Sequence, residues 1–486
     1  MELILKNHDY KYAVEQIMLM LFPGERPVYP EGGKPAGEPW AAVSLTEGKT
    51  WVTATTALRI GGGRYMGSAR VRTGDLEGPF LAARLRQRAV KRSFYRAAVA
   101  YYGKKPVWGA LSGIRPAKLM REALEREAGD EKRAVRRFMD FYDVSPERAA
   151  LCLDAAKAAL AAERDLAERD VCLYVGIPFC PTRCAYCSFV SASVEKSMGL
   201  MEPFLTALER DIAATAAAVK RAGMRPRSLY LGGGTPTTLS AAQLDRLLGQ
   251  LGQEFDLSAC GEITVEAGRP DTITAEKLAV LRSRGVTRVS VNPQTMSDEV
   301  LKAIGRRHSA ADVLDALALV RTAGKLQVNM DLIAGLPGDS VEGFRATMEA
   351  VLSLGAENVT IHTLALKKGS RIMLEGTRLP SGEETAEMVD LAAAALRARG
   401  YAPYYLYRQK YMSGGLENVG WSLPGTENLY NIVIMEELRS VIAMGAGAST
   451  KLLFGGGRLE RFFAPKYPQE YIAGIEKVCA DKAKIV

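Results

Sequence analysis

The sequence predicts an α/β protein whose centre, residues 166–375, is a partial (β/α)6 barrel. An α+β extension over 1–165 precedes it and an α+β domain over 376–486 follows it. Three observations predict this. Short β-branched runs alternate with helical stretches, the helices carry recognisable ends, and unusual polar residues gather where strands end. The first two imply parallel strands joined by right-handed crossovers. They do not separate a partial or closed barrel from an open doubly wound sheet; the third favours the barrel.

The strand runs are 171–177, 228–231, 262–266, 288–292, 327–333 and 358–364. Helical stretches at 201–221, 241–252, 275–284, 298–304, 310–323 and 341–354 are interspersed with them. Ser240 and Thr274 stand at N-cap positions, with Glu276 in the first turn after Thr274. Glycine stops follow at Gly223, Gly285, Gly324 and Gly355. A cysteine loop follows the first strand, and Gly232-Gly-Gly-Thr-Pro236 follows the second. Glu266 ends the third, Gln294 follows the fourth, Asp331 is late in the fifth and His362 late in the sixth. In α/β barrels that rim is where chemistry is assembled from separate loops. Ordinary loop polarity explains any one of these residues but not six on one rim.

The cysteine loop reads Tyr174-Val-Gly-Ile-Pro-Phe-Cys180-Pro-Thr-Arg-Cys184-Ala-Tyr-Cys187, a C-x3-C-x2-C spacing. Structural zinc needs a closed tetrahedral set of four ligands, which three thiols do not supply. A [4Fe–4S] cluster normally takes four thiolates. Given three, one iron keeps an open position for chemistry.

Outside this centre, Gly61-Gly-Gly63 suits a hairpin turn, since a phosphate loop would need a Lys-Ser/Thr after it. Charged helices follow from about residue 81. The run Trp108-Gly-Ala-Leu-Ser-Gly-Ile-Arg-Pro-Ala-Lys118 has no evident assignment. A helix over 382–399 leads to Tyr404-Tyr-Leu-Tyr-Arg408-Gln-Lys410 and then Gly445-Ala-Gly-Ala-Ser-Thr450.

Composition bounds the rest. A chain of 486 residues, 48% apolar and 24% charged, is globular with room for two or three domains. Seven cysteines are too few for a disulfide framework, and Cys152, Cys172, Cys260 and Cys479 are expected as small buried residues. The net charge of +9 suits an acidic partner, but the basic residues are interleaved with acids, which disfavours nucleic acid. The first residues lack a signal peptide's apolar run, and no apolar stretch is long enough for a membrane span. A soluble, cytoplasmic protein is expected.

The cysteine triplet, the Gly232–Pro236 turn and the six-unit pattern together resemble the radical S-adenosylmethionine superfamily. Further motifs resemble its oxygen-independent coproporphyrinogen III oxidase group, and most its HemZ branch. These are Tyr174-Val-Gly-Ile-Pro-Phe-Cys, Ser290-Val-Asn-Pro-Gln294, Gly305-Arg-Arg-His308, Asn329-Met-Asp-Leu-Ile-Ala-Gly-Leu-Pro337, Tyr407-Arg-Gln-Lys410 and Gly445-Ala-Gly-Ala448. The resemblance implies a [4Fe–4S] cluster on Cys180, Cys184 and Cys187, with S-adenosyl-L-methionine against Gly233, Gly234 and Thr235. Glu266 matches an acidic cofactor position, Gln294 and Asp331 match ribose-binding groups, and Arg306 a carboxylate partner. Tyr174, Tyr186 and Ala365 match further contacts.

The implied reaction is oxidative decarboxylation of two coproporphyrinogen III propionates to vinyls, giving protoporphyrinogen IX, with electrons from a separate donor protein. Arg408 and Lys410 are candidate clamps for the tetrapyrrole's carboxylates, against a solvated β-edge as the plain alternative. A haem carrier of the same fold, or a radical enzyme acting on haem, is the other reading. Two positions depart from the pattern. Phe189 stands where the oxidase type has a further cysteine, and Gly176 where the chaperone-like branch commonly has histidine. His308 is expected to pack against the helix near Ala310, while strand alternation leaves His362 facing either the barrel mouth or its wall.

Overall fold

A computed structural model describes residues 1–187, 192–365, 378–409, 412–455 and 458–485. Phe189 and Lys410 lie outside these residues. The chain divides into two compact units, Met1–Leu153 with the stretch at Arg408, and Asp154–Val486 without that stretch.

In the first unit β1 (Glu2–Lys6), β2 (Trp40–Glu47), β3 (Trp51–Ile60) and β4 (Gly63–Arg72) form a sheet in that order. β1 runs parallel to β2, and the other pairs are antiparallel. The Gly61-Gly62 turn between β3 and β4 has φ of +59° and +77°, the left-handed values a two-residue hairpin loop needs. Along β3, Val52, Ala54, Thr56 and Leu58 alternate inward and are fully buried. They share a core with Val14 and Ile17 of helix Lys11–Leu21 and with Val90 and Phe94 of helix Gly78–Tyr102.

Arg408 belongs to this unit and is buried. Its guanidinium donates to the Leu111 carbonyl and lies 4.9 Å from the centre of the Trp108 ring. The unassigned 108–118 run thus receives an arginine before helix Pro116–Arg126 begins. Of the two readings of Arg408, a carboxylate clamp or a solvated β-edge, the solvated edge does not hold, because the residue is buried with its guanidinium on a carbonyl and a ring.

The second unit is built on β5 (Asp170–Ile177), the short pair β6 (Phe179–Cys180) and β7 (Ala192–Ser193), β8 (Arg225–Gly233), β9 (Glu262–Glu266), β10 (Arg288–Ser290), β11 (Gln327–Ala334) and β12 (Asn358–Thr363). β5 and β8 to β12 pair in sequence order, all parallel. The sheet stays open, a partial barrel rather than a closed one. The C-terminal region adds to both of its edges. β13 (Ala402–Tyr407) and β14 (Asn418–Ser422) extend it beyond β12, both antiparallel pairings. β15 (Ser440–Gly445) runs parallel to β5, and β16 (Ser449–Leu453) and β17 (Leu459–Phe463) continue outward.

Local signals set the helix ends. Ser240 makes a full capping box with Gln243, and the Thr274 side chain accepts from the Lys277 amide. Cys152 and Cys172 are buried as expected, whereas Cys260 and Cys479 are half-buried. Among the described residues no helix is long and apolar enough to cross a membrane.

Candidate active site

The loop carrying Cys180, Cys184 and Cys187 leaves the C-terminal end of β5 and is tied down by backbone bonds. The Cys187 amide donates to the Cys184 carbonyl at 3.1 Å, and Ala185 donates to Ile304 at 3.0 Å. The Thr235 hydroxyl reaches Cys180 Sγ at 3.6 Å. Beside it the β8 turn passes close to the loop: Gly234 N donates to Ile177 and Thr235 N to Phe179, each at 2.7 Å. A Cβ on Gly234 would lie 2.4 Å from the Phe179 carbonyl oxygen, and Gly233 holds φ +107°. Only glycine fits both positions, and the result is a bare backbone surface next to the thiols.

Glu266 ends β9. Its Oε1 accepts from the Tyr230 hydroxyl at 2.6 Å. Burial pushes its carboxyl up to about 7, and the charge of Asp331 adds to this; the Tyr230 bond, the Gly233 backbone and His362 oppose it. Asp331 differs because it is hydrogen-bonded from more sides. Its oxygens accept from Asn329 Nδ2 and Asn292 Nδ2, each at 2.8 Å. His362 Nε2 lies 3.8 Å away. Burial acts to raise this carboxyl, yet the contacts from His362, Asn329 and Thr360 bring it below its ordinary value. His362 therefore faces the site and not the outer wall.

Gln294 is buried with φ +69°, a conformation that costs a non-glycine residue roughly 1–3 kcal/mol and is usually kept for function. Its backbone is held there by β11: Gln294 N donates to Asp331 at 2.9 Å and Ile333 N donates to Gln294 at 3.0 Å. Arg306 donates to the Gly268 carbonyl at 3.1 Å and to the Tyr186 hydroxyl at 2.9 Å, binding the cysteine loop to the segment after β10. Tyr174 stacks with Tyr430 and Tyr230 at centroid separations of 5.8 and 6.2 Å. Ala365 bridges to Met412 at the edge of the described residues. His308 is buried; burial first, then the cations Arg306 and Arg269, push its imidazole down to about 4.

The cysteines, Gly233, Gly234, Thr235, Glu266, Gln294 and Asp331 thus all stand at the C-terminal ends of parallel strands in one sheet. Sequence reasoning missed Tyr230, Asn292, Asn329 and Arg269. Tyr230 had a signal: it stands two residues before Gly232 on the same face of β8, where a Cβ on Gly232 would meet its ring at 2.9 Å.

The family model for the radical SAM superfamily matches residues 174–351, which span β5 to the helix after β11. The oxygen-independent coproporphyrinogen-III oxidase-like protein HemZ of Bacillus subtilis is 40% identical over 391 residues, covering 79% of this chain and 78% of its own. The chain belongs to the radical SAM superfamily, in its HemZ family. The heme chaperone HemW of Bacillus subtilis is 32% identical over 50% of this chain and 64% of its own. Coproporphyrinogen III oxidase HemN from Escherichia coli has the same fold, with TM-score 0.52 at 24% identity over 66% of this chain and 72% of that one. The superfamily uses a [4Fe–4S] cluster and S-adenosylmethionine. Three thiols on one loop, beside a cradle that a single Cβ would fill, fit both groups.

Proposed function

We propose that this radical SAM protein is an oxidoreductase that decarboxylates coproporphyrinogen III propionates to vinyl groups, yielding protoporphyrinogen IX. The observation that carries the reading is the meeting of the three-cysteine loop, the glycine cradle and the Glu266 and Asp331 carboxylates on one rim, in a chain of the HemZ family. When bound, cluster and S-adenosylmethionine would supply a hydrogen-abstracting 5′-deoxyadenosyl radical, using one electron from a separate donor protein, and each vinyl would form with loss of carbon dioxide and of one electron to an acceptor.

The chain's own residues bind and orient. Cys180, Cys184 and Cys187 would hold the cluster as thiolates, three ligands that leave it open to the cofactor. Gly233 and Gly234 would admit the methionine portion against backbone, and Glu266 would accept a hydrogen bond from its amino group. Asp331 and Gln294 would accept from ribose hydroxyls. Arg306 keeps Tyr186, and with it the cysteine loop, in place.

Gly176 supports an oxidase over a haem carrier. It faces Gly445 across β5 and β15, and a Cβ there would lie 2.9 Å from the Ala446 carbonyl oxygen. An imidazole at position 176 would require the backbone after β15 to move, which disfavours a haem ligand at that position. The test is anaerobic incubation of reconstituted protein with coproporphyrinogen III, S-adenosylmethionine and a reductant, followed by chromatography of the oxidised porphyrins. Loss of two propionates, abolished by Cys184→Ala, is expected. Unchanged substrate together with tight haem binding would establish the carrier instead.

A further inference from the structure

Arg269 follows β9 and is 3% exposed. Asp271 grips one side of its guanidinium: Nε donates to Oδ1 and Nη2 to Oδ2, both at 3.1 Å. The other side points into the cysteine loop. Nη1 donates to Thr182 Oγ1 at 3.0 Å and to the Thr182 carbonyl at 3.4 Å. Thr182 stands between Cys180 and Cys184. Burying a guanidinium costs several kcal/mol unless its hydrogen bonds are met, and a surface Arg–Asp pair would brace the 269–271 turn without that cost. The bonds Arg269 makes outside its own turn go to the cysteine loop.

The next segment of the loop is fastened separately. Between Cys184 and Cys187, Ala185 donates to the Ile304 carbonyl and Tyr186 accepts from Arg306. Each inter-cysteine segment therefore has its own arginine. Ordering a loop costs conformational entropy, and three thiolates must converge on one cluster, so a loop ordered in advance holds it longer.

We propose that Arg269, oriented by Asp271, is a positioning residue of the cysteine loop, clasping Thr182 so that Cys180 and Cys184 stand ready to bind the cluster. This rests on the assignment of the three cysteines as cluster ligands. Lysine cannot replace the clasp, because an ammonium lacks the planar fork that reaches Asp271 and Thr182 together.

The test uses anaerobically reconstituted full-length protein, the rate of iron release to a colorimetric chelator, and the spin-resonance spectrum of the reduced cluster. Arg269→Ala is expected to release iron roughly tenfold faster, in line with losing charge-assisted hydrogen bonds, and to alter the spectrum. Arg269→Lys should fall between alanine and wild type. Thr182→Val keeps the carbonyl acceptor and should show a smaller acceleration. Melting of the cluster-free Thr182→Val protein should match wild type. Should Arg269→Ala fail to fold, Thr182→Val and Asp271→Asn decide by the same two readouts. Wild-type release and spectra in those variants overturn the proposal, as does a lysine variant equal to wild type, since charge alone would then suffice. A Cys184→Ala protein that retains the cluster overturns the ligand assignment, and the clasp with it.

Discussion

At the entry of β9, Glu262 accepts from the backbone amides of Leu429 and Tyr430 at 3.2 and 3.5 Å and pairs with Arg288 at 3.4 Å. At the exit of the same strand, Glu266 is held by the Tyr230 hydroxyl and the Gly233 backbone. Arg288 at the entry is met on further sides, donating to Asn358 Oδ1 and to the Thr426 and Glu427 carbonyls at 2.9 and 3.3 Å. The entry is thus a closed polar plug between the strands and the segment before Leu429. At the exit, burial first raises the Glu266 carboxyl to about 7, with His362 the cation that opposes it; burial raises Glu262 as well, there against Arg288 and two backbone amides. One strand thus carries two buried acids, one paired with an arginine and two backbone amides, the other, proposed above as a cofactor contact, held by a tyrosine hydroxyl.

Breaking the plug should have the largest effect. Arg288→Ala leaves Glu262 buried without its cation and is expected to cost about 3–5 kcal/mol in denaturant unfolding. S-adenosylmethionine affinity per folded molecule should be unchanged. Glu266→Gln should do the opposite: stability within about 1 kcal/mol of wild type, and roughly ten- to hundredfold weaker cofactor binding by calorimetry, the worth of one charged hydrogen bond. If both variants lose stability alike, the contrast between the two ends of β9 fails.

A third measurement separates the buried histidine from the carboxylates. His308 has its folded pKa lowered from 6.5 to about 4. Its contribution is therefore present above pH 6.5 and lost as pH falls through about 4, because the unfolded chain takes up the proton first. The loss is on the order of 3 kcal/mol across that window. Arg306 and Arg269 deepen it and Asp271 opposes it. In His308→Leu that share of the acid-side decline should vanish from unfolding curves.

Tyr230→Phe should give the smallest shift. Removing the hydroxyl that stabilises ionised Glu266 raises that carboxyl further, so the pH at which cofactor binding strengthens should move upward by up to about one unit. An unmoved profile would mean that Tyr230 serves only to pack against Tyr174 and Tyr430.

The elements themselves were legible because their signals are local. The helix expected over 201–221 is Met201–Arg221, and the strand expected over 262–266 is Glu262–Glu266. Capping residues and glycine stops act over one turn of chain, so they can be read without knowing the fold. The fourth strand is the informative exception. β-branching suggested that it continued to residue 292, but it ends at Ser290. Beyond it Asn292 turns its amide to Asp331 and Gln294 takes its positive φ, bonded to β11. Only the neighbouring strand could impose that.

By itself the sequence determined the strand–helix alternation, the three-cysteine loop, the glycine cradle and the rim on which Glu266, Gln294 and Asp331 stand. Each of these depends on residue type and spacing within one short segment. The tertiary structure decided that the C-terminal strands close on both edges of the sheet, that Gly445 crowds Gly176, that Arg408 is buried on Trp108, and that Arg269 reaches Thr182. These pairings join residues far apart in the chain. Their energy comes from partners that no local pattern names: a carbonyl to receive a guanidinium, or a neighbouring strand that leaves no room for a side chain.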